Sequence, residues 1–237
     1  MLITSRQNPL VKHIRRLGAD AAYRREQGLY LADGRKLLDD ALRSGVRIAQ
    51  AVFTEGISPP ALSDTEVITV PKELMGAISP LETPQGVLFV CPIPAPPPAP
   101  RSGRWLLLDR VQDPGNVGSI LRTAEAFGLD GVLLFPGCAD PFSPKAVRAS
   151  MGAVFRLPVG NAESTLPLMV ADIDGPAVSV FPKDCVVALG NEGQGVSPEL
   201  KSRADAIISI PMPGRAESLG VAAAAAILCW EMSKCRH

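Results

Sequence analysis

The stretch Cys91-Pro92-Ile93-Pro94-Ala95-Pro96-Pro97-Pro98-Ala99-Pro100 limits what this chain can fold into more than any other. Proline has no amide hydrogen and a fixed φ, so such a run can neither continue a helix nor supply ladder bonds to a sheet. It favours an extended, semi-rigid spacer. The 237 residues are therefore expected to form two domains, 1–92 and 101–237, joined by a linker at 93–100. That division suits the usual size of roughly 100–200 residues per domain.

On the N-terminal side the elements alternate. Asn8 followed by Pro9 reads as a helix cap with proline at the first helical position. Leu10, Val11, Ile14 and Leu17 then recur on one face, with Lys12, Arg15 and Arg16 opposite and Arg24 and Arg25 following. Leu29-Tyr30-Leu31-Ala32 predicts a strand. Residues 35–43 predict a helix with Leu37, Leu38, Ala41 and Leu42 inward, closed by Gly45. Strands over 48–54, 67–70 and 86–91 and a short helix over 72–78 complete a small unit.

Beyond the linker, Trp105-Leu106-Leu107-Leu108 is a continuous apolar run, as expected of a strand buried on both faces of a parallel sheet. Val117, Ile120, Leu121 and Ala124 follow at helical spacing, ending at Gly128. Further strands are expected at 132–135, 154–159, 178–181, 186–189 and 207–210, and a closing helix over 218–234. The class is α/β: a small N-terminal α/β domain, then a mostly parallel C-terminal α/β domain.

Charge sums to zero, yet residues 1–50 hold ten basic against five acidic side chains, leaving fourteen against nineteen elsewhere. A basic N-terminal part suggests a polyanion such as RNA, although a solvated face would look the same. The five cysteines are widely spaced with no Cys-x-x-Cys pair, and read as reduced, mostly buried thiols. His13 and His237 stand at opposite ends of the chain, so neither a histidine triad nor a metal site is expected. No apolar run reaches the ~18–20 residues of a membrane span. The N-terminus lacks the basic-then-apolar order of a secretory signal. The expectation is a cytoplasmic protein.

Ligands of open α/β sheets bind at loops beyond the carboxyl ends of the strands, and three such loops are unusual. The first is Asp113-Pro114-Gly115-Asn116-Val117-Gly118-Ser119-Ile120-Leu121-Arg122-Thr123-Ala124. Here Gly115 permits a sharp turn and Asn116 can cap the helix. Arg122 then falls early in that helix, where a cation opposes the macrodipole unless an anion is near. A surface pair with Glu125 is the plain alternative. The second is Leu189-Gly190-Asn191-Glu192-Gly193-Gln194-Gly195-Val196-Ser197-Pro198, whose glycines let backbone approach a ligand and whose Ser-Pro starts a helix. The third, Ile208-Ser209-Ile210-Pro211-Met212-Pro213-Gly214-Arg215-Ala216-Glu217-Ser218-Leu219-Gly220-Val221-Ala222, joins a strand to the alanine-rich closing helix.

In this order the three segments resemble the motifs of the SpoU (TrmH-like) branch of the SPOUT RNA methyltransferase superfamily. Lys145-Ala146-Val147-Arg148-Ala149-Ser150-Met151-Gly152-Ala153-Val154-Phe155 is similar to that family as well. Residues 1–92 resemble its ribosomal-protein-like RNA substrate-binding domain, through Ser5-Arg6-Gln7-Asn8-Pro9 and Leu29-Tyr30-Leu31-Ala32-Asp33-Gly34. The resemblance implies a trefoil knot in the C-terminal domain, which topology rules alone would reject. It also implies a homodimer and metal-free transfer of a methyl group from S-adenosylmethionine to a ribose 2′-hydroxyl, in ribosomal RNA rather than transfer RNA. It places Leu189, Gly190, Asn191, Gly195, Ile210, Met212 and Leu219 at the methyl donor. Asn116, Arg122, Glu192 and Ser218 fall at the reacting hydroxyl. A guanidinium with pKa above about 12 gives up a proton reluctantly, so Arg122 is expected to bind phosphate and stabilise the developing alkoxide.

One departure stands out. Where the family reads Ser-Leu-Asn-Val-Ser, this chain has Ser218-Leu219-Gly220-Val221-Ala222, without the amide and the second hydroxyl. A non-catalytic RNA-binding protein on the same fold therefore stays open. A Rossmann-type dinucleotide enzyme is the other rival; no G-x-G-x-x-G follows the first strand of either half, and Asp113-Pro114-Gly115-Asn116-Val117-Gly118 has the wrong spacing.

Overall fold

The computed structural model describes residues 1–161, 164–177, 180–191 and 193–234. The chain divides into two units, one of Met1–Pro94 with Phe142–Phe155, the other of Ala95–Pro141 with Arg156–His237.

The first unit opens with α1 (Pro9–Ala19), capped by Asn8, whose Oδ1 accepts from the Leu10 N–H at 2.9 Å. Val11, Ile14 and Leu17 are buried, and Lys12, Arg15 and Arg16 are exposed, as the spacing predicts. A second helix, α2 (Ala21–Gln27), begins where Asp20 accepts from the Tyr23 N–H and ends at Gly28, at φ 63°. The remaining elements are β1 (Leu29–Asp33), α3 (Arg35–Arg43), β2 (Gln50–Thr54), β3 (Glu66–Val70), α4 (Lys72–Ile78) and β4 (Val87–Pro92). Among the described residues the strands form a mixed sheet in the order β1-β4-β2-β3, antiparallel except for the β2–β3 pair. Ile14 and Leu17 of α1 and Leu74 and Met75 of α4 share a buried core with Leu31, Val52 and Leu88 of the sheet.

The second unit contains β5 (Arg104–Leu108), α5 (Pro114–Ala126) and β6 (Gly131–Leu134). The chain then supplies α6 (Pro144–Ala149), which packs on β1 within the first unit. There Phe142 lies 5.2 Å from Tyr30 between ring centroids, and Phe155 lies 6.4 Å from Phe89. Gly152, beside the Asp40 carboxylate, has φ 88°, a backbone conformation that residues with side chains rarely adopt. The second unit resumes with β7 (Val159–Asn161), β8 (Leu168–Ala171), β9 (Cys185–Leu189), α7 (Pro198–Ser202), β10 (Ala206–Ile208) and α8 (Val221–Lys234). Its described strands pair in parallel throughout, in the order β10-β8-β9-β5-β6-β7. The central strands β5 and β9 are buried at every position, the condition that a continuous apolar run anticipates. Helix α8 packs along α5 and against β9.

Several expectations are corrected. The expected strand over 154–159 is a 3-10 turn, Ala153–Phe155, and then β7, because Gly152 bends the chain and Pro158 has no amide to donate. Of the strand expected at 178–181, Val178 and Ser179 lie outside the described residues, and Val180 and Phe181 are not in a strand. The sheet position belongs to β8, where Leu168, Met169 and Val170 are buried while Val180 is exposed. The closing helix starts at Val221 rather than Ser218, since its first bond runs from the Ala224 N–H to the Gly220 carbonyl at 3.0 Å. Asn116 does not cap α5. Asp113 does, accepting from the Asn116 N–H at 3.0 Å with Pro114 behind it. Gly115 therefore lies inside the first turn, and Arg122 is mid-helix. Arg24 is not on the basic face either: it is buried and donates to the Leu17 carbonyl at 2.7 Å.

Candidate active site

Beyond the carboxyl ends of β8, β9 and β10 lies a cavity of about 420 Å³, within the roughly 300–1,000 Å³ range of small-molecule sites. The second glycine-bearing segment contributes Leu189, Gly190, Asn191 and Gly195 to its lining. The third contributes Ile210, Met212, Ser218 and Leu219. Two stretches nearly twenty residues apart in sequence thus meet around one space. Asn116 and Arg122 are on α5 and are not among the lining residues. Glu192 lies outside the described residues.

The loop after β9 holds its shape through a few specific contacts. Asn191 accepts from the Gly195 N–H through its backbone carbonyl at 2.8 Å, and from the Gly193 N–H through Oδ1 at 2.9 Å. A Cβ at Gly190 would overlap the Gly195 carbonyl, so the loop closes on itself only with glycine there. Gly195, at φ 64°, occupies the left-handed region that glycine enters without cost.

Two residues that no motif highlighted fix this loop to the neighbouring strand. Asp109, just past β5, is fully buried, and its Oδ2 accepts from the Ser197 N–H at 2.6 Å. Arg110 has φ 54°, unusual for a side chain of its size. Its Nε donates to Asp109 at 3.1 Å, its Nη1 to Gln194 Oε1 at 2.9 Å and its Nη2 to the Gly195 carbonyl at 3.3 Å. Its own carbonyl accepts from Asn191 Nδ2 at 3.0 Å. An acidic residue ending an apolar strand was visible in the sequence; the left-handed arginine after it had no sequence signal.

A second unheralded pair borders the same cavity. Lys201 of α7 forms an ion pair with Asp172, just past β8. That ammonium, hydrogen-bonded to the carboxylate, holds Asp172 below the usual carboxylate range. Arg122 behaves differently. It is exposed, while Ile120 and Leu121 beside it are buried. Its simplest partner is taken, because Glu125 pairs with Arg156 at 2.5 Å. Among the described residues, no set of three or more His, Cys, Asp or Glu side chains is placed to hold a metal ion, and no helix is long and apolar enough to cross a membrane.

Residues 104–230 match the SpoU rRNA methylase family. The chain belongs to that family. Residues 8–88 match an MRM3-like substrate-binding domain. Over 247 residues the SpoU protein is 32% identical to the 23S rRNA (guanosine(2553)-2′-O)-methyltransferase RlmP of Bacillus subtilis, covering 97% of this chain and 98% of that one. An AdoMet-bound rRNA methyltransferase from Sinorhizobium meliloti superposes with a TM-score of 0.86 at 31% identity, over 100% of this chain and 98% of the other. The SpoU methyltransferase AviRb of Streptomyces viridochromogenes, in complex with AdoMet, gives 0.88 at 26% identity, over 97% and 98%. The fold expected from the three motifs is thus the fold of this family, and a trefoil knot is implied by it.

Proposed function

We propose that this protein transfers a methyl group from S-adenosylmethionine to a ribose 2′-hydroxyl of ribosomal RNA. One observation carries the reading: the second and third SpoU segments meet around a cavity at the carboxyl ends of parallel strands, where α/β sheets bind their ligands.

The residues present fit such a donor. Gly190 and Gly195 bring bare backbone to the cavity, and Leu189, Ile210, Met212 and Leu219 offer apolar surface. With Asn191 they are the residues that would hold S-adenosylmethionine, which supplies an electrophilic methyl on a sulfonium. The chain's own contribution is to orient the nucleophile and manage its charge. Arg122 binds the target phosphate and stabilises the alkoxide as it develops. Asn116, Glu192 and Ser218 complete the set that orients the hydroxyl and takes up its proton. Asp109 and Arg110 hold the donor loop through Ser197, Gln194 and Gly195.

In this reading, residues 1–92 recognise the RNA, residues 93–100 link, and residues 101–237 catalyse. Support comes from the exposed Lys12, Arg15 and Arg16 on α1 and from the substrate-binding domain matched over 8–88. We further propose a homodimer working in the cytoplasm. The test is transfer of labelled methyl from S-adenosylmethionine to purified ribosomal RNA, digested to nucleosides. The expected product is one 2′-O-methylnucleoside; label on a base, or none at all, would overturn the proposal.

A further inference from the structure

Helix α5 carries one acidic residue, Glu125, and it stands three positions past the exposed Arg122. Side chains at that spacing are neighbours on a helix surface, and an arginine and a glutamate there attract each other. The structure does not make that pair. Glu125 accepts instead from Arg156 Nε at 2.5 Å, in an ion pair whose arginine and glutamate side chains are 36% and 31% exposed. Both partners are held by their surroundings. Leu157 beside Arg156 is buried, and the Pro158 carbonyl accepts from the Val132 N–H of β6 at 3.0 Å. Leu121 and Ala124 anchor the turn of α5 that presents Glu125. Among the described residues, no ion pair engages the Arg122 guanidinium.

Resting on the reading of Arg122 above, we propose that Arg156 is a positioning residue for methyl transfer. By claiming Glu125, it keeps the Arg122 guanidinium unpaired for the RNA. Without Arg156, the Glu125 carboxylate has a cation one turn back on its own helix to turn to. A guanidinium already bonded to a carboxylate has fewer donors left for a phosphate or a forming alkoxide. The added negative charge also repels both of those groups. In the intact pair the charges of Glu125 and Arg156 offset each other, so α5 presents Arg122 as its cation.

The test compares the full chain with Arg156→Ala, Arg156→Lys, Glu125→Gln and the double variant Arg156→Ala/Glu125→Gln. Two readouts are taken. One is methyl transfer to ribosomal RNA. The other is the rate at which phenylglyoxal labels Arg122 without RNA, mapped by mass spectrometry against Arg15. Arg156→Ala is expected to slow both by about threefold, the scale of one partly exposed ion pair. The KM for S-adenosylmethionine should not move. Arg156→Lys keeps a cation on Glu125 and should match wild type. Glu125→Gln should transfer at the wild-type rate or faster, and the double variant should recover both readouts. That recovery is the decisive result, because a structural role or a direct RNA contact of Arg156 would leave the double variant as slow as Arg156→Ala. A double variant that stays slow, or an Arg156→Ala that labels and transfers like wild type, would overturn the inference. Wild type that transfers nothing while the labelling pattern holds would overturn the reading of Arg122 in methyl transfer and leave the pairing intact.

Discussion

The buried carboxylate of Asp109 accepts a hydrogen bond from the backbone N–H of Ser197 at 2.6 Å, fastening the loop after β9 to the end of β5. Removing the acceptor strands a buried donor, which costs on the order of 1–3 kcal/mol, and frees Arg110 from one of its partners. Asp109→Ala is therefore expected to lower unfolding stability by about 2–3 kcal/mol and to weaken donor binding through a loosened loop. Asp109→Asn keeps an acceptor and should lose less. Denaturant melts and donor calorimetry on the two variants check this; equal losses would show that the hydrogen bond is not what matters.

Neighbouring arginines should separate RNA binding from stability. Arg24 is buried with its Nη1 on the Leu17 carbonyl, so Arg24→Ala is expected to cost about 2–4 kcal/mol of stability. Arg15 is exposed on α1, and Arg15→Ala should change stability by no more than about 0.5 kcal/mol. Neutralising Lys12, Arg15 and Arg16 together should reduce the salt slope of RNA binding by about one unit per lost phosphate contact, with donor affinity untouched. An unchanged slope would mark those charges as a solvated face.

Strand and helix patterning survived translation into structure wherever burial and periodicity agreed, as in Trp105-Leu106-Leu107-Leu108 and the helices over 35–43 and 72–78. It failed where local preference competed with tertiary demand. Val178 to Phe181 looked more strand-like than Leu168 to Ala171, yet β8 is the buried stretch. The donor-site glycines were legible because bare backbone leaves a compositional trace. Arg110 and Lys201 left none, and Asp109 showed only as an acidic residue ending an apolar strand: their roles come from partners 84 to 88 residues away for Arg110 and Asp109 and 29 for Lys201, through contacts such as Arg110 to Gln194, Asp109 to Ser197 and Lys201 to Asp172. The packing of 142–155 within the first unit was equally invisible, since its signal resembled the catalytic half.

Asp33 gives a pH-dependent prediction. Burial pushes its carboxyl above the usual range, opposed by a hydrogen bond from Ser79 and by the charge of Arg148. Its Oδ2 accepts from Ser79 Oγ at 2.7 Å, while Oδ1 is buried without a partner. A carboxyl whose folded pKa lies above the unfolded value binds its proton more tightly when folded. Its contribution to stability is thus present below the unfolded pKa and lost as pH rises through the folded one. Asp33→Asn, neutral throughout, is expected to equal or exceed wild-type stability near pH 7, with any gain fading towards about pH 4. Thermal melts across that range check the sign; a gain that grows on acidification would contradict it.

Gly220 occupies the position before α8, its carbonyl taking the first helical bond from Ala224. A Cβ there would meet nothing within 4 Å. Asparagine, the residue usual in the family, caps a helix better than glycine by only a few tenths of a kcal/mol. Gly220→Asn is therefore expected to fold normally, with a melting temperature unchanged or slightly raised, and to transfer methyl groups at an equal or higher rate. A drop in transfer with the fold intact would show that this site is built around the glycine.

The account stands most directly on Arg122. Mapping 2′-O-methylation across ribosomal RNA from cells with the wild-type chain, without it, and with Arg122→Ala measures the claim itself. The expected result is a ribose mark that disappears without the protein and is strongly depleted with Arg122→Ala. The purified variant should bind the donor normally while transferring about 10²-fold more slowly, the scale of a lost oxyanion donor. Arg122→Lys should restore little, because a point charge does not reproduce the planar fork. A methylation map identical in all three strains would contradict the proposed function. A mark retained at full rate with Arg122→Ala would leave the family assignment standing and remove Arg122 from the chemistry.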